Sequence, residues 1–212
     1  MKPFIVEDLV EINPNCKVSV QDDYVIIDDY YKNYDEICSM LKYYPAENWK
    51  MSDNTRNFKD YYDCRVIFQN IYPEQSKLQR RNDFFDSILN LIGKSLKEYS
   101  FNINFNCFKP IKQYSINEQH FPHVDPSYNL ITFVDKVNSG GLALYKDINW
   151  EDTEHYNTIV NISELEIEQI IASKPNRAIL IDGKRTHGAY ISDYSKYKNN
   201  WRITSAQFLE VK

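Results

Sequence analysis

The spacing of apolar residues changes near Tyr99 from the spacing typical of helices to that typical of strands. In FNINFNCFKP, the apolar residues Phe101, Ile103, Phe105 and Cys107 alternate with polar ones, mainly asparagine. Successive side chains of a strand point to opposite faces of the sheet, so this period of two predicts a strand with one buried face. Strand-like runs dominate from here on. We therefore expect an α+β, mainly β fold whose helices lie mostly in the first half.

The chain length of 212 residues fits one domain with a proper hydrophobic core. We expect residues 1–99 to supply N-terminal strands and supporting helices, and residues 100–212 to form the β-rich core with the functional site. In the first part, KPFIVEDLVEI, KVSVQDDYVIIDDYY and CRVIFQNIY are typical of strands, and the second of these ends at Asp28-Asp29. The polar segment PAENWKMSDNTRNFKDYYD between them has no clear period and predicts an irregular loop.

Three segments have the apolar spacing of helices. The first begins near Asn33, continues through Ile37 and Leu41, and stops before Pro45. The second is DFFDSILNLIGKSLKEY, whose broad apolar stripe contains Phe84, Phe85, Ile88, Leu89, Ile92 and Leu96. The third is NISELEIEQIIASK, which opens with a capping box formed by Ser163 and Glu166. We expect this third helix in a connection between two strands.

Charge and cysteine content narrow the class of protein. The net charge is -5, which argues against a broad surface for duplex nucleic acid. The four cysteines, Cys16, Cys38, Cys64 and Cys107, form no C-x-x-C pair, so neither a zinc knuckle nor a redox motif is indicated. No apolar run is long enough to span a membrane, and the first residues include acids where a signal peptide needs an apolar core. We expect a cytoplasmic protein without a membrane partner.

The segment QYSINEQHFPHVDPSYNLITFVD contains the strongest candidate site. On a strand, His123 and Asp125 point the same way, so an imidazole and a carboxylate can share one metal ion. Downstream, LIDGKRTHGAY places His187 after another apolar run. Two histidines and one carboxylate with open positions form the ligand set of non-haem Fe(II) oxygenases. His123-Val124-Asp125 alone is a weak motif, but its order relative to the other elements strengthens it.

Four motifs from about Gln113 to Phe208 together resemble the Fe(II)- and 2-oxoglutarate-dependent oxygenases of the prolyl-4-hydroxylase-like branch. They are QYSINEQHFPHVD, in which a tyrosine precedes the His-x-Asp triplet by nine residues; NSGGLALYKD, similar to a Gly-Gly strand; NRAILIDGKRTHGAY, similar to the strand of the distal histidine; and WRITSAQFL, similar to the strand that anchors the cosubstrate. The resemblance implies a double-stranded β-helix, a cupin-like jelly-roll, in residues 100–212. It covers roughly half of the chain.

The resemblance also implies roles for individual residues. His123, Asp125 and His187 would hold Fe(II), with 2-oxoglutarate, O2 and water at the remaining positions. Tyr114 would donate its phenol to the cosubstrate. Because halogenating relatives lack the carboxylate, the presence of Asp125 favours hydroxylation of a C–H bond coupled to decarboxylation of 2-oxoglutarate to succinate. The contrasting hypothesis is a non-catalytic binding or structural module with the same fold.

The far carboxylate of 2-oxoglutarate needs a fixed cation, and arginine offers a two-pronged donor that lysine does not. Arg202 fits this role, and Thr204 lies on the same side of a strand, whereas Trp201 and Ile203 face the other way. The connection after His187 is longer than is usual in the family. The alternative anchors are Lys196 and Lys198 in this connection and Arg185, which lies just before His187.

The substrate is the least constrained part of the site. Small molecules and peptide side chains are comparable candidates, and a nucleobase is less favoured because Phe208 stands where nucleic-acid demethylases have a second arginine. Arg56 in the irregular segment and Arg65 in an early strand are candidates for substrate contact, because metal and cosubstrate occupy the later motifs. His120 faces away from Asp125 on an ideal strand. It could reach the substrate, although a structural or solvent-exposed role is the favoured one. His155 lies in an acidic loop and is expected to be solvated.

Overall fold

The computed structural model describes residues 10–43, 50–51, 62–70, 75–99, 102–110, 122–146, 166–197 and 200–212. The elements before residue 100 are β1 (Lys17–Val20), β2 (Tyr24–Asp28), α1 (Tyr34–Tyr43), β3 (Lys50–Met51), β4 (Tyr62–Asn70), α2 (Gln75–Asn90) and β5 (Leu96–Tyr99). Those after it are β6 (Asn102–Pro110), β7 (Tyr128–Phe133), β8 (Gly141–Tyr145), β9 (Ile167–Ala172), β10 (Ala178–Ile181), β11 (His187–Tyr190), a 3-10 helix (Tyr194–Tyr197) and β12 (Arg202–Val211). The expectation of a mainly β fold is confirmed.

Two antiparallel sheets organise the described residues. The larger has nine strands in the order β1-β2-β10-β7-β12-β6-β4-β3, with β5 pairing to β12. The smaller has the order β11-β8-β9. An isolated bridge between His123 and His187 adds the segment before β7 to the free side of β11. Strands from both halves of the chain therefore share the larger sheet.

The inner face of the larger sheet packs against the smaller sheet. One buried cluster joins Tyr24, Ile131, Phe133, Ile179 and Ile181 from the larger sheet with Leu142, Leu144 and Ile171 from the smaller one. On β7 and β10 the residues between these inner positions, such as Leu130 and Leu180, belong to a second cluster. This alternation is what a strand with both faces covered requires.

The two α-helices cover the opposite, outer face of the larger sheet. Ile37, Met40 and Leu41 of α1 and Phe85, Ile88 and Leu89 of α2 pack in one cluster with Val25, Ile27, Leu130 and Leu180. The supporting role expected for the early helices is confirmed. No helix in the described part of the chain is long and apolar enough to cross a membrane.

Two helix predictions need correction. Helix α2 begins earlier, at Gln75, and ends at Asn90, so Leu96 lies in β5. The end is set by Gly93, which has φ +69°, while the N–H of Lys94 donates to Leu89 O at 3.0 Å and the N–H of Gly93 donates to Asn90 O at 3.1 Å. This pair of bonds is the Schellman motif, which terminates a helix at a left-handed glycine.

The helix predicted in NISELEIEQIIASK is wrong, because Ile167–Ala172 form strand β9. Residues 161–165, which include Ser163 of the expected capping box, lie outside the described residues. In β9, Ile167, Gln169 and Ile171 are more buried than their neighbours, so the period is two. Pairing with β8 and the strand preference of isoleucine outweigh the helical spacing.

Most of the remaining early predictions that fall on described residues are confirmed, whereas residues 2–9 of the predicted strand KPFIVEDLVEI lie outside them. Helix α1 and strands β4 and β6 lie where the sequence predicts them. KVSVQDDYVIIDDYY is divided into β1 and β2 by a turn in which the N–H of Gln21 donates to Tyr24 O at 2.9 Å. Strand β2 ends at Asp28, and Asp29 has φ +60°. Within the predicted irregular loop, Lys50–Met51 form the short strand β3 and residues 52–60 lie outside the described residues.

Candidate metal centre

The two histidines of the candidate site are brought together by the backbone. His123 and His187 form an isolated antiparallel bridge in which each N–H donates to the other's carbonyl oxygen, both at 3.0 Å. Directly opposed residues of an antiparallel pair place their side chains on the same side. The imidazole rings consequently lie with their centroids 4.4 Å apart.

Asp125 is held beside the two rings by the turn that precedes His187. Its N–H donates to Gly183 O at 2.7 Å. A Cβ at Gly183 would lie 2.9 Å from both the Cβ and the carbonyl oxygen of Asp125, and it would collide with the carbonyl oxygen of Ser127. Only glycine fits there, so this position explains why the turn needs a glycine.

Three ligand atoms converge on one point. Asp125 Oδ2 lies 3.3 Å from His187 Nε2 and 3.7 Å from His123 Nε2. The candidate ligand atoms of the three residues all lie within 4.8 Å of one another. The structure therefore brings together the three side chains that the sequence analysis selected, although they come from two segments about 60 residues apart.

The hydrogen bond at the other ring nitrogen fixes the tautomer of His187. Its Nδ1 lies 2.8 Å from the carbonyl oxygen of Arg185, so Nδ1 carries the proton and donates it. Nε2 then presents its lone pair to the carboxylate oxygen of Asp125. Within the described residues this Nε2 is buried and makes no hydrogen bond.

The Nε2 lone pair and the carboxylate oxygen face each other across 3.3 Å in a buried site, so they need a shared proton or a metal ion between them. His187 is only 1% exposed, which leaves little water to satisfy Nε2. A histidine that donates one ring N–H to a backbone carbonyl and offers the other nitrogen is the usual form of a metal ligand. The residues present thus fit a divalent metal ion.

The protonation state of Asp125 suits this role. Burial alone would raise its pKa, but positive charge at the His187 and His123 rings, hydrogen bonding from His187 and the amide of Asn129 together outweigh burial and hold the pKa of Asp125 below its ordinary value. Asp125 is therefore ionised at neutral pH, as a carboxylate ligand must be.

Asn129 is a neighbour of the site that sequence reasoning missed. Its Nδ2 donates to Asp125 Oδ2 at 2.7 Å, and the residue is 3% exposed on the inner face of β7. The available signal was a single amide in YNLITF at a position whose strand neighbours Ile131 and Phe133 are apolar. An amide at such a position is unusual unless it has a polar partner.

Arg202 and Thr204 lie on the same inner face, towards the other end of β7. Thr204 pairs with Phe133, and the guanidinium of Arg202 stands over the Phe133 ring at 5.6 Å from its centroid. Both residues are buried, and Arg202 Nη2 donates to Gly141 O at 3.0 Å. Ile203 packs against the helix-covered cluster instead, so the predicted alternation along WRIT is confirmed for these three residues.

The charge of Arg202 acts on a second partly buried acid, Asp135. Burial raises the pKa of Asp135 to about 6, and the guanidinium of Arg202 opposes this rise. The carboxylate also accepts hydrogen bonds from the backbone N–H groups of Val137, at 2.9 Å, and Ile203, at 3.1 Å. A buried arginine and a carboxyl that titrates near neutrality thus share one end of the inner face.

The other cations considered for the anchor are placed differently. Arg185 pairs with Asp23 and, at 2.6 Å, with Glu168. Lys196 is exposed on the 3-10 helix, and Lys198 lies outside the described residues. Of the anchor candidates in the described part of the chain, Arg202 is the one buried on the inner face.

Several predicted residues cannot be placed in the site. Tyr114, His120, His155 and Arg56 lie outside the described residues. Arg65 pairs with Cys107 in the ladder between β4 and β6. The contacts proposed for Tyr114 with the cosubstrate and for Arg56 and Arg65 with the substrate stay predictions, as do the roles given to His120 and His155.

Solved structures with a similar fold include two that are named as oxygenases and one that is named as a hydroxylase. A protein from Shewanella oneidensis, named provisionally as an oxygenase, has a TM-score of 0.50 at 11% identity, over 97% of this chain and 85% of that one. A 2OG-Fe(II) oxygenase family oxidoreductase from Burkholderia pseudomallei has a TM-score of 0.49 at 12% identity, covering 89% and 84%. A prolyl-4-hydroxylase from Pseudomonas putida has a TM-score of 0.48 at 9% identity, covering 89% and 92%.

No protein-family model and no curated protein matches the sequence. At 11% identity, the likeness to the Shewanella protein is one of fold, and it extends over nearly the whole chain. At that level the resemblance inferred from the four sequence motifs is confirmed.

Proposed function

We propose that the chain is an Fe(II)- and 2-oxoglutarate-dependent oxygenase of the prolyl-4-hydroxylase-like branch, and that it hydroxylates a C–H bond of its substrate. The observation that carries this proposal is the convergence of His123, Asp125 and His187, with the Nε2 lone pair of His187 facing Asp125 Oδ2 at 3.3 Å. Two imidazoles and one carboxylate leave half of an octahedral coordination sphere open for cosubstrate and O2.

The path of the chain supports a double-stranded β-helix. From β6 to β12 the backbone passes from the larger sheet to the His123 segment, back to β7, then to β8 and β9, and again to β10, β11 and β12. Eight segments divided equally between two facing sheets correspond to a jelly-roll. The three candidate ligands lie at one end of this arrangement, where the His123 segment meets β11.

The proposed roles follow from the donor atoms. His123, Asp125 and His187 would hold Fe(II), which with 2-oxoglutarate and O2 supplies oxidative decarboxylation to succinate and CO2 and inserts the second oxygen atom into a C–H bond. Arg185 O keeps the proton of His187 on Nδ1, which leaves Nε2 free to bind the metal. Asp125 supplies the carboxylate that favours hydroxylation over halogenation.

Arg202 would bind the far carboxylate of 2-oxoglutarate, with Thr204 donating its hydroxyl to the same group. The buried guanidinium lies on the inner face of the sheet that also carries Asn129, the neighbour of Asp125. Asn129 and Phe133 are four residues apart on β7, which is about 13 Å at the rise of a strand. The long side chain of Arg202 reduces the distance between its guanidinium and the metal site. The phenol of Tyr114 remains part of this proposed cosubstrate site.

A small molecule or a peptide side chain is the proposed substrate. A nucleobase is less favoured, because the net charge is -5 and Phe208 occupies the position of the second arginine of nucleic-acid demethylases. Charge of this sign gives polyanions no general attraction.

Release of succinate from 2-oxoglutarate tests the proposal directly. We expect Fe(II)-dependent succinate formation by the intact protein, loss of it in His123→Ala, and a raised KM for 2-oxoglutarate in Arg202→Lys. Even without the native substrate, slow uncoupled turnover is expected. A protein that binds neither Fe(II) nor 2-oxoglutarate would instead support the non-catalytic module.

A further inference from the structure

We propose that Asn129 is a positioning residue that selects and orients the carboxylate oxygen of Asp125 for the metal. This inference rests on the proposed metal centre and adds to it a residue that contacts a metal ligand without itself being one of the three. It is carried by the position of the Asn129 amide, its burial and its single described hydrogen bond.

The backbone fixes where the amide lies. Asn129 is the first inner-face residue of β7 and pairs with Ile181 on one side and Phe208 on the other. Its inner-face neighbours on these strands, including Ile131 and Ile179, are buried and apolar. A buried amide in such surroundings costs free energy unless it is hydrogen-bonded.

The one hydrogen bond described for this side chain goes to the candidate metal ligand. Asn129 Nδ2 donates to Asp125 Oδ2 at 2.7 Å, a short and therefore strong bond to an ionised acceptor. Oδ2 is the same oxygen that lies 3.3 Å from His187 Nε2 and 3.7 Å from His123 Nε2. The amide thus marks the oxygen that faces both imidazoles.

A free aspartate has little preference between its two oxygens, because rotation about the terminal torsion is broad and nearly two-fold. The hydrogen bond from Asn129 makes the two carboxylate oxygens of Asp125 inequivalent and fixes the orientation of the carboxylate plane. The amide itself can adopt only one orientation, because its carbonyl oxygen would repel the carboxylate. Asn129 therefore restricts the orientation of the Asp125 carboxylate before a metal ion binds.

The carbonyl oxygen of the Asn129 side chain carries a cost in stability. Asn129 Oδ1 is buried and has no hydrogen-bond partner among the described residues. Buried polar atoms without partners are rare in native proteins, and they concentrate at functional sites. An apolar residue of similar size would pack with Ile131 and Ile181 without that cost, so the presence of the amide is explained by its contact with Asp125.

The experiment compares Asn129→Leu, which keeps the volume and removes the donor, with Thr132→Val on the same strand. Thr132 is equally buried but belongs to the opposite face of β7, where it contacts Tyr31 rather than Asp125. Both variants replace one buried polar group on β7 by an apolar one. A change shared by both reports stability, and a change confined to Asn129→Leu reports the metal site.

The measured quantities are the dissociation constant for Co(II) by calorimetry and the visible absorption of the Co(II) protein. We expect Asn129→Leu to bind Co(II) about 10- to 100-fold more weakly, the range for loss of a group that orients a metal ligand, with an altered spectrum. Thr132→Val should keep the affinity and spectrum of the parent chain. If Asn129→Leu fails to fold, Asn129→Ser, whose hydroxyl is too short to reach Asp125, replaces it with the same expectation.

Two failures of the experiment are distinguishable. Parent-like affinity and spectrum in a folded Asn129 variant would overturn the positioning role while leaving the metal centre intact. A parent protein that binds no Co(II) at all would overturn the proposed metal centre, and the inference would fall with it.

Discussion

Gly183→Ala is expected to damage the metal centre by steric displacement alone. The glycine lies in the turn before β11, and its carbonyl accepts the N–H of Asp125 at 2.7 Å. An added Cβ would lie 2.9 Å from two atoms of Asp125, whereas ordinary van der Waals contact begins at 3.4 Å, and it would overlap the carbonyl oxygen of Ser127. The Asp125–Ser127 segment would have to retreat by roughly 0.5 to 1.3 Å, at the cost of about 1–3 kcal/mol typical of overpacking.

A displacement of this size matters more for metal binding than for folding. Misplacing a reactive group by about 1 Å can cost on the order of 100-fold in rate. We therefore expect Gly183→Ala to remain folded, to lose about 1–3 kcal/mol in urea unfolding, and to bind Co(II) at least about 10-fold more weakly. Calorimetry and equilibrium unfolding on the same preparation separate the two effects.

Gly93→Ala is the matched control because alanine there strains the backbone but meets no neighbouring atom, whereas alanine at position 183 collides with its neighbours. Gly93 has φ +69°, and nothing lies within 4 Å of a Cβ built there. Alanine at that position should lose about 1 kcal/mol through backbone strain at the end of α2, with unchanged Co(II) affinity. Equal Co(II) affinity in Gly183→Ala and Gly93→Ala would refute the assignment of Gly183 to the metal centre.

Three further predictions concern the surroundings of the site. Arg185→Gln loses two ion pairs that hold the turn whose carbonyl fixes the His187 tautomer, and we expect about 10-fold weaker Co(II) binding by calorimetry with less than about 1 kcal/mol lost in unfolding. Arg202→Met removes the cation that lowers the pKa of Asp135, so a 13C NMR titration should find that pKa above its present value of about 6. Because this folded pKa lies above the ordinary value of 3.8, the stability due to protonated Asp135 is full below about pH 4 and is lost as the pH rises through 6, and Asp135→Asn should flatten that part of the urea-unfolding profile. Unchanged Co(II) affinity in Arg185→Gln, an unchanged Asp135 titration in Arg202→Met, or an unchanged pH dependence of unfolding in Asp135→Asn would contradict the corresponding prediction.

Strands of the β-rich half such as β6 could be predicted because their apolar residues recur with a period of two and with no other. In β6 the alternation of apolar residues with asparagine has no helical alternative, and the structure places Asn102–Pro110 in a strand. Ile167 and Ile171 are four residues apart and fit both periods, whereas Ile170 fits only the helical one, so local spacing predicted a helix there. The pairing of Ile171 with Leu142 decides for the strand, and such a contact between distant segments is not visible in local spacing.

The three candidate ligands were accessible from the sequence because their positions follow from strand geometry and motif order. His123 and Asp125 are two residues apart, and His187 follows an apolar run that forms β10 and its turn. Asn129 was not accessible in the same way. Its contact with Asp125 joins residues four apart across a non-helical turn, and spacing rules exist for helices and strands rather than for such turns.

The polar surroundings of His187 also depend on tertiary structure. Arg185 was considered as an anchor for the cosubstrate, yet its guanidinium joins Asp23 of the β1–β2 turn to Glu168 of β9. Neither partner is close to Arg185 in sequence. The group of Arg185 that contacts His187 directly is its backbone carbonyl, which any residue could supply, so side-chain chemistry gave no signal for that contact.

Anaerobic titration of the protein with Fe(II) and 2-oxoglutarate, followed by visible absorption, tests the metal centre most directly. A chelate of both on the three proposed ligands predicts a charge-transfer band that saturates at one iron per chain and is absent from His187→Ala. A band of equal intensity in His187→Ala, or no band in the intact protein at saturating Fe(II) and 2-oxoglutarate, would contradict the proposed oxygenase site.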